Sequence, residues 1–257
     1  MYEAYIQAAP GIDAPELPRN GKKVVWCTPC MKRPTDPLLG ALASASQVVN
    51  AAGWEEQWVS EVGNPYISNA RNAMLRKALD AKADVIVFLD YDLSFSPGAL
   101  LKLIETEGDV VAGTYRYKDP DGPESYMGKI YTRDDGRPRD MRPDGTIKAS
   151  CVPAGFLKVT KEAVDRFMGA YPALCYGPRY NPHVDLFNHG AFGRLWFGED
   201  YAFSRNWNDL GGEIWLVPDL DITHHDTEGR SFPGNFHRFL LQQPGGVNDP
   251  ARNDDGR

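Results

Sequence analysis

Two aspartates separated by one residue stand directly after a strongly apolar stretch of the sequence. The stretch is Val85–Leu89, and the acids that follow it are Asp90 and Asp92. A continuous apolar run predicts a strand that is buried on both faces, and ligands of open α/β sheets bind beyond the carboxyl ends of such strands. Two carboxylates on one tight turn can both reach a hard divalent cation, which also accepts diphosphate oxygens. The alternative is that one aspartate only caps the helix that follows.

A second acidic pair, Glu199 and Asp200, precedes a segment that is predicted to be helical. The helix dipole favours a carboxylate at this position, so one interpretation is that Asp200 simply caps the helix. The other interpretation is catalytic, because a carboxylate placed there can take the proton from an attacking hydroxyl. Further along the chain His224 and His225 are adjacent. On an extended segment their rings point to opposite sides, so one alone can face a shared site.

The elements that must position these residues alternate between strand and helix patterns. Apolar runs predict strands over 22–27, 85–89 and 110–113, and weak alternation indicates a further strand over 54–62. Helical periodicity predicts a helix over 67–79, composition predicts one over 38–52, and Ser96-Pro97 opens another over 98–107. This alternation predicts an α/β fold with a mostly parallel central sheet flanked by helices. The later chain is expected to hold a hairpin (126–131 and 146–150), strands over 152–159 and 213–217, helices over 162–168 and 198–210, an irregular segment over 171–196 and a mobile loop over 227–236.

The domain organisation that we predict has one large unit. Residues 1–21 form an irregular lead-in, residues 22–240 a single domain, and residues 241–257 a polar tail. Within the domain, the sequence pattern changes after residue 113, which divides it into the halves 22–113 and 114–240. The N-terminus has neither the basic nor the apolar region of a secretory signal, and no apolar run approaches the roughly 20 residues that span a bilayer. We therefore expect no membrane span and a cytoplasmic location.

Composition excludes some classes of protein. The 257 residues carry a net charge of -7, and no basic stripe offers the surface that a phosphate-tracking nucleic-acid binder uses. The four cysteines are few for a chain of this length, which argues against a disulfide framework in a reducing compartment. Size and composition suit one soluble α/β domain.

The strongly apolar stretch and its acids resemble a known family. Residues 88–95, FLDYDLSF, resemble the FLDxDxxF element of GT-A glycosyltransferases, and residues 67–72, ISNARN, are similar to the I-x-x-A-R-N helix of family-2-like members, including phage and bacterial ones. The resemblance covers roughly residues 22–235, and it implies that 22–113 is the nucleotide-binding half and 114–240 the acceptor-binding half of a catalytic domain. It implies a GT-A-like fold and a divalent-metal-dependent enzyme that moves a hexose or pentose from a nucleotide-diphosphate sugar to a hydroxyl. A phage-encoded enzyme of this kind works in the host cytoplasm.

The resemblance also implies roles on the metal and acceptor side of the site. Asp90 and Asp92, with His224 as a further ligand, would hold Mn²⁺ or Mg²⁺. Asp200 would be the general base of an inverting enzyme, and Glu199 would hold the acceptor or the sugar. A retaining outcome would remove the base assignment. The acceptor stays open among a glycan, a small molecule and a modified nucleic acid.

On the donor side, the resemblance implies contacts with a UDP- or GDP-sugar. Thr28 and Pro29 would line the pocket for base and ribose, Asp90 and Tyr91 would contact the donor, and Arg71 would approach its phosphates. The alternative for Arg71 is an ion pair on the helix surface. Residues 152–157, VPAGFL, are similar to a small-residue strand start that lets the acceptor approach, or else form a packed core strand. Tyr180, Trp196 and Phe197 either stack on a sugar or base or belong to the core.

Three other functions are compatible with parts of the sequence. Residues 26–30, WCTPC, resemble the W-C-x-P-C signature of thioredoxin, which would make Cys27 and Cys30 a redox pair. The length of the chain and residues 38–113 do not fit a thioredoxin module. Zinc bound by Cys27, Cys30, Cys151 and Cys175 would use a poor ligand spacing. A non-catalytic nucleotide-sugar-binding module is the third alternative.

Overall fold

The fold is built on one eight-stranded β-sheet. The computed structural model describes residues 20–243, so the predicted lead-in and tail lie almost entirely outside the described residues. In order across the sheet, the strands are β2 (Glu55–Val62), β1 (Lys23–Cys30), β3 (Val85–Leu89), β8 (Phe156–Thr160), β5 (Val110–Ala112), β13 (Ile214–Leu216), β7 (Ile147–Cys151) and β6 (Lys129–Ile130).

The strand directions confirm the predicted mostly parallel sheet, in which two strands run opposite to the rest. β1 is parallel to β2 and to β3, and β5 is parallel to β13. β8 runs antiparallel to both β3 and β5, and β7 runs antiparallel to both β13 and β6. Six of the eight strands therefore share one direction. The alternation over residues 22–113 does not reveal that β8, from the later half of the chain, lies between β3 and β5.

Helices cover both faces of this sheet. They are α1 (Asp36–Ala51), α2 (Ile67–Asp80), α3 (Ala99–Glu105), α4 (Lys161–Ala170), α5 (Glu199–Asp209) and α6 (Phe236–Gln242). In β3, Val87 packs with α1 and α3, whereas Ile86 and Phe88 pack with α2, α4 and α5. Every residue of β3 is buried, as its unbroken apolar sequence predicts.

A second, three-stranded sheet lies next to the carboxyl end of β3. Its central strand β14 (Ile222–His225) pairs antiparallel with β4 (Leu93–Phe95) and with β15 (Ser231–Gly234). The prediction of a mobile loop over 227–236 is therefore wrong, since β15 and the start of α6 occupy half of it. Pro233 argued against a strand in the sequence, but an edge strand such as β15 tolerates a proline. α6 also runs through the predicted domain end at residue 240.

The segment predicted to be irregular, 171–196, contains two short antiparallel pairs. They are β9 (Cys175–Tyr176) with β10 (His183–Val184), and β11 (Gly190–Phe192) with β12 (Leu195–Phe197). The β11–β12 hairpin leads directly into α5, and its Trp196 side chain is exposed, as is Tyr180. The core interpretation of these two rings is thus wrong. The predicted hairpin of 126–131 with 146–150 is confirmed by the β6–β7 pair.

A helix that spans a bilayer needs both sufficient length and sufficient apolarity. No helix within residues 20–243 has both.

Candidate active site

The turn after β3 carries the first acidic pair and is held from two sides. The Asp90 N–H donates to the Gly155 carbonyl at 2.9 Å. From the other side, the Thr35 N–H and hydroxyl donate to the Tyr91 carbonyl at 3.1 and 2.8 Å. Thr35 is also the N-cap of α1, so the helix and the turn are fixed together. The carboxylates of Asp90 and Asp92 therefore leave a turn whose backbone is well determined.

Arg71 joins the two acidic pairs. Its Nη2 lies 2.7 Å from Asp90 Oδ1, and its Nη1 lies 2.5 Å from Glu199 Oε1. The side chain is only 4% exposed. Burial alone would lower the pKa of the guanidinium, but the two carboxylates outweigh it and raise that pKa. The alternative of an ion pair on the helix surface is thus wrong, because the ion pairs of Arg71 are buried. Contact between Arg71 and donor phosphates stays a prediction.

Tyr115 completes the fixation of Asp90. Its hydroxyl donates to Asp90 Oδ2 at 3.0 Å, and the ring is buried. Burial first, and then the Asp90 carboxylate, raise the pKa of Tyr115 well above its ordinary value, so the hydroxyl keeps the proton that it donates. The sequence analysis missed this residue. The signal was available, because Tyr115 follows β5 at the same carboxyl edge of the sheet.

Gly155 is needed where Asp90 and Tyr115 meet. A Cβ atom at this position would lie 2.1 Å from the Tyr115 hydroxyl and 2.2 Å from Asp90 Oδ2. Both distances are far below van der Waals contact. The small residue before β8 therefore makes room for a hydrogen bond between two side chains, a reason that neither sequence interpretation of residues 152–157 gave.

Asp92, in the turn between β3 and β4, faces His224 of β14. His224 Nε2 lies 3.7 Å from Asp92 Oδ1, and both side chains are 11% exposed. His224 Nδ1 is 2.8 Å from the Arg116 carbonyl. A carbonyl only accepts, so Nδ1 carries a proton, and in the neutral ring the lone pair is on Nε2, toward Asp92.

The small sheet decides which histidine faces the acids. His224 is paired with Leu93, and the His225 N–H donates to the Asp92 carbonyl at 2.8 Å. The His225 ring points the other way and contacts the Ser94 hydroxyl through Nε2 at 2.8 Å. The alternation expected for adjacent residues on a strand thus places His224, and not His225, at the acidic turn.

Lys118 is a third group on Asp92 and was not predicted. Its ammonium contacts Asp92 Oδ2. Burial, the largest influence, would raise the pKa of Asp92, but His224 and Lys118 together outweigh it and lower that pKa. Asp92 is therefore ionised at neutral pH. Lys118 lies in a polar segment without a pattern that would have marked it.

Asp92 and His224 fit a divalent cation in part. With metal–ligand distances of about 2.1 Å, two ligand atoms of one ion are separated by at most about 4.2 Å, and Nε2 and Oδ1 satisfy this at 3.7 Å. In the described part of the chain, no three His, Cys, Asp or Glu side chains converge on one metal position. The remaining ligands would be substrate phosphate oxygens and water, as is usual for Mg²⁺. Asp90 is engaged by Arg71 and Tyr115, so its role as a metal ligand stays a prediction.

Asp200 lies in the first turn of α5, beside Glu199. Its Oδ1 accepts from the Tyr201 N–H at 2.8 Å, which is part of what the capping interpretation expects. Oδ2 has no hydrogen-bond partner within residues 20–243. Burial, and then repulsion by the Glu199 carboxylate, raise the pKa of Asp200 to about 6. A carboxylate with this pKa and an unused oxygen can accept a proton near neutral pH.

The predicted donor residues have different surroundings. Cys27 of β1 is opposite Phe88 of β3, and the two strands are parallel. Pro29 and Asp90, each two residues further along, therefore lie at the same carboxyl edge of the sheet. Thr28 is fully buried, and its hydroxyl accepts from the Trp58 indole N–H at 3.1 Å. Trp58, which the sequence analysis missed, is exposed above it. The donor contacts of Thr28, Pro29 and Tyr91 stay predictions.

The cysteines do not form a redox or zinc site. Cys27 and Cys30 lie in one strand, where three residues span about 10 Å, too far for a disulfide. Burial raises the pKa of both thiols, which disfavours a reactive thiolate. The thioredoxin-like alternative is therefore wrong, because the motif is extended. Cys151 and Cys175 do not join them in a metal site within the described residues.

Comparison with known proteins finds likenesses to solved glycosyltransferase structures. GalNAc-T7 with UDP, GalNAc and Mn²⁺ is 11% identical with a TM-score of 0.47, over 78% of this chain and 43% of that chain. A Drosophila β1,4-galactosyltransferase 7 mutant with manganese, UDP-Gal and xylobiose is 13% identical with a TM-score of 0.43, over 92% and 80%. TarS of S. aureus is 14% identical with a TM-score of 0.40, over 76% and 35%.

The chain thus spans less than half of GalNAc-T7 and of TarS. Searches of protein-family models and of curated proteins give no match.

Proposed function

We propose that the chain is a divalent-cation-dependent glycosyltransferase that moves a sugar from a nucleotide-diphosphate sugar to an acceptor hydroxyl. One observation carries this proposal. Asp92 and His224, which lie close enough to share one cation, and the separate desolvated carboxylate of Asp200 lie at the same edge of the central sheet. The contacts that join the acceptor side to the cation side run through Glu199, Arg71, Asp90, Tyr115, His224 and Asp92.

The cation side of the site serves the leaving group. A divalent cation held by Asp92 and His224 would neutralise the negative charge that develops on the departing diphosphate. Asp90 is fixed by Arg71 and Tyr115, each on a different oxygen. Each oxygen keeps a free lone pair, so Asp90 can accept hydrogen bonds from hydroxyls of the donor's ribose or sugar.

The acceptor side supplies the nucleophile. Asp200 takes the proton of the acceptor hydroxyl as its oxygen forms a bond to the anomeric carbon of the sugar. The bond from that carbon to the diphosphate oxygen breaks, and its electron pair leaves with the diphosphate. This single displacement inverts the anomeric configuration. Glu199, held by Arg71, is placed to bind a hydroxyl of the acceptor or of the sugar.

The substrates of this proposal are a UDP- or GDP-sugar donor and an acceptor that is a glycan, a small molecule or a modified nucleic acid. Two exposed aromatic rings lie near residues of the proposed site: the Trp58 indole N–H donates to Thr28, and Trp196 comes three residues before Glu199 in the sequence. Flat apolar faces of this kind support binding of a sugar ring or a base.

Turnover of a panel of UDP- and GDP-sugars with Mn²⁺ tests this function. We expect the wild-type chain to release nucleoside diphosphate, and EDTA to stop the release. Asp92→Asn should abolish release while the chain still unfolds cooperatively, at a somewhat lower temperature because Lys118 loses its charged partner. Asp165→Asn is the matched control, because Asp165 is an exposed acid in an ion pair with Lys161. Full turnover by Asp92→Asn would refute the site, and donor binding without any turnover would favour the non-catalytic module.

A further inference from the structure

We propose that Lys118 is a ligand of the donor's diphosphate, and that Asp92 holds it until a cation arrives. The inference rests on the proposed function, and assigns a role to a residue that the reaction above does not use. Lys118 thereby makes binding of the cation and binding of the nucleotide depend on each other.

The first step is the contact itself. Lys118 Nζ binds Asp92 Oδ2, while Oδ1 of the same carboxylate faces His224 Nε2. An ammonium and a divalent cation would therefore share one carboxylate. Asp92 is the one acceptor that Lys118 has in the described part of the chain. The Lys118 ammonium only donates hydrogen bonds, and its positive charge offsets the negative charge of Asp92 as a bound cation would.

The second step is electrostatic. Asp92 is 11% exposed, and charges in such surroundings are screened much less than charges on the surface. A divalent cation that joins Oδ1 and His224 therefore repels the ammonium on Oδ2. The Lys118 side chain is 29% exposed, and its ammonium ends a flexible four-carbon chain, so rotation of that chain can carry the ammonium away from Asp92.

The third step gives the displaced ammonium a partner. A diphosphate bound to the cation brings oxygens with negative charge next to Asp92, within the region that the Lys118 side chain already reaches. Lysine binds phosphate as a point charge. The cation alone must displace Lys118 without compensation, whereas the cation with a diphosphate offers Lys118 a new ligand. Cation and nucleotide should therefore bind with positive cooperativity.

Mn²⁺ binding by electron paramagnetic resonance tests this, with the full chain and with UDP or GDP as nucleotide. We expect Lys118→Ala and Lys118→Gln, which keeps a polar side chain without the charge, to bind Mn²⁺ alone about fivefold more tightly than wild type. With saturating Mn²⁺, both variants should bind the nucleotide about fivefold more weakly. A purely structural role for Lys118 would weaken both constants. Lys77→Ala, which removes another ion-paired lysine, should change neither.

The outcomes separate this inference from the proposed function. If Asp92→Asn does not reduce Mn²⁺ binding in the presence of UDP or GDP, the cation site fails and Lys118 loses its role with it. If Asp92→Asn abolishes binding while both Lys118 variants keep the wild-type constants, or bind Mn²⁺ alone more weakly, only the inference about Lys118 is overturned.

Discussion

Glu199 and Asp200 are adjacent acids with different surroundings. Glu199 is neutralised by Arg71 at 2.5 Å. Asp200 has no such partner, and burial with repulsion by Glu199 raises its pKa to about 6. Two carboxyl groups with different surroundings can take different roles in one reaction. Glu199 is held by its ion pair with Arg71, whereas Asp200 can exchange a proton.

The pH dependence of activity tests the role of Asp200. A general base works in its ionised form, so kcat/KM should fall about tenfold per pH unit below about pH 6 and level off above it. Asp200→Asn should lower kcat by about 10²- to 10⁴-fold. The measurement is a pH–rate profile of donor turnover at saturating Mn²⁺. A wild-type profile that stays flat down to pH 5 would contradict the assignment.

The pH dependence of stability provides the control for that profile, because protonation of Asp200 should stabilise the fold while it lowers activity. A carboxyl whose pKa rises on folding favours the folded state when protonated, and that contribution is lost as pH rises through about 6. Protonation of Asp200 therefore does not unfold the chain in the range where activity falls. Asp200→Asn cannot ionise, so its melting temperature at pH 7.5 should exceed that of wild type.

Sequence predicted the acids of the site better than their partners. Asp90 and Asp92 follow an unmistakable buried strand, and Glu199 and Asp200 precede a helix, so a local pattern marks each pair. Lys118 sits in a polar segment that looks like any solvated loop, and its contact with Asp92 depends on how that segment folds back. No local pattern encodes such a contact.

At the scale of elements, the meeting of β3 and β8 shapes the site. β8 begins beside the acidic turn, with Phe156 opposite Leu89. Gly155, just before it, leaves the space in which Asp90 and Tyr115 meet. The pairing of β3 with β8 thus brings Gly155 next to Asp90, and the missing side chain of Gly155 lets Asp90 reach Tyr115.

Gly155→Ala should disturb both stability and activity. The new methyl group overlaps Asp90 and Tyr115, so one of them must move, and overpacking of this kind costs about 1–3 kcal/mol. Asp90 would also lose its fixed position, which should lower donor turnover. Urea unfolding and turnover measure the two effects. Gly40→Ala is the control, because Gly40 lies inside α1 with open space around it.

The control should change in the opposite direction. Alanine is favoured over glycine inside a helix by about 0.5–1 kcal/mol, so Gly40→Ala should be slightly more stable than wild type with unchanged turnover. If Gly155→Ala unfolds and turns over donor like wild type, the close contact between Gly155, Asp90 and Tyr115 is not required.

The elements that sequence missed are the short ones. β4, β14 and β15 have three or four residues each, too few for a hydrophobic period to stand out. Yet this small sheet brings His224 to Asp92. Longer elements such as α1, α2 and β3 carry enough residues on one face for the pattern to predict them, and the structure confirms them within a few residues.

At the scale of the whole molecule, the two predicted halves share one sheet. β8 and β13, from residues 114–240, flank β5 on both sides, and β8 also covers the free edge of β3. The buried Arg71 of the first half has Glu199 of the second as a partner. The boundary at residue 113 therefore describes a change in sequence pattern and not a separation of folded units.

Residues 20–113 alone should consequently be unfolded. β5 would have no hydrogen-bonded neighbour, β3 would expose an edge, and Phe88 would lose Phe187 and the α4 and α5 side of its core. The unsupported apolar surface is too large a loss for a chain whose stability is a small difference between large terms. Far-UV circular dichroism and urea titration of 20–113 should show no cooperative transition, and adding 114–243 should restore one. Independent cooperative unfolding of 20–113 would mean that the interleaved strands contribute to the shape of the sheet without being needed for the first half to fold.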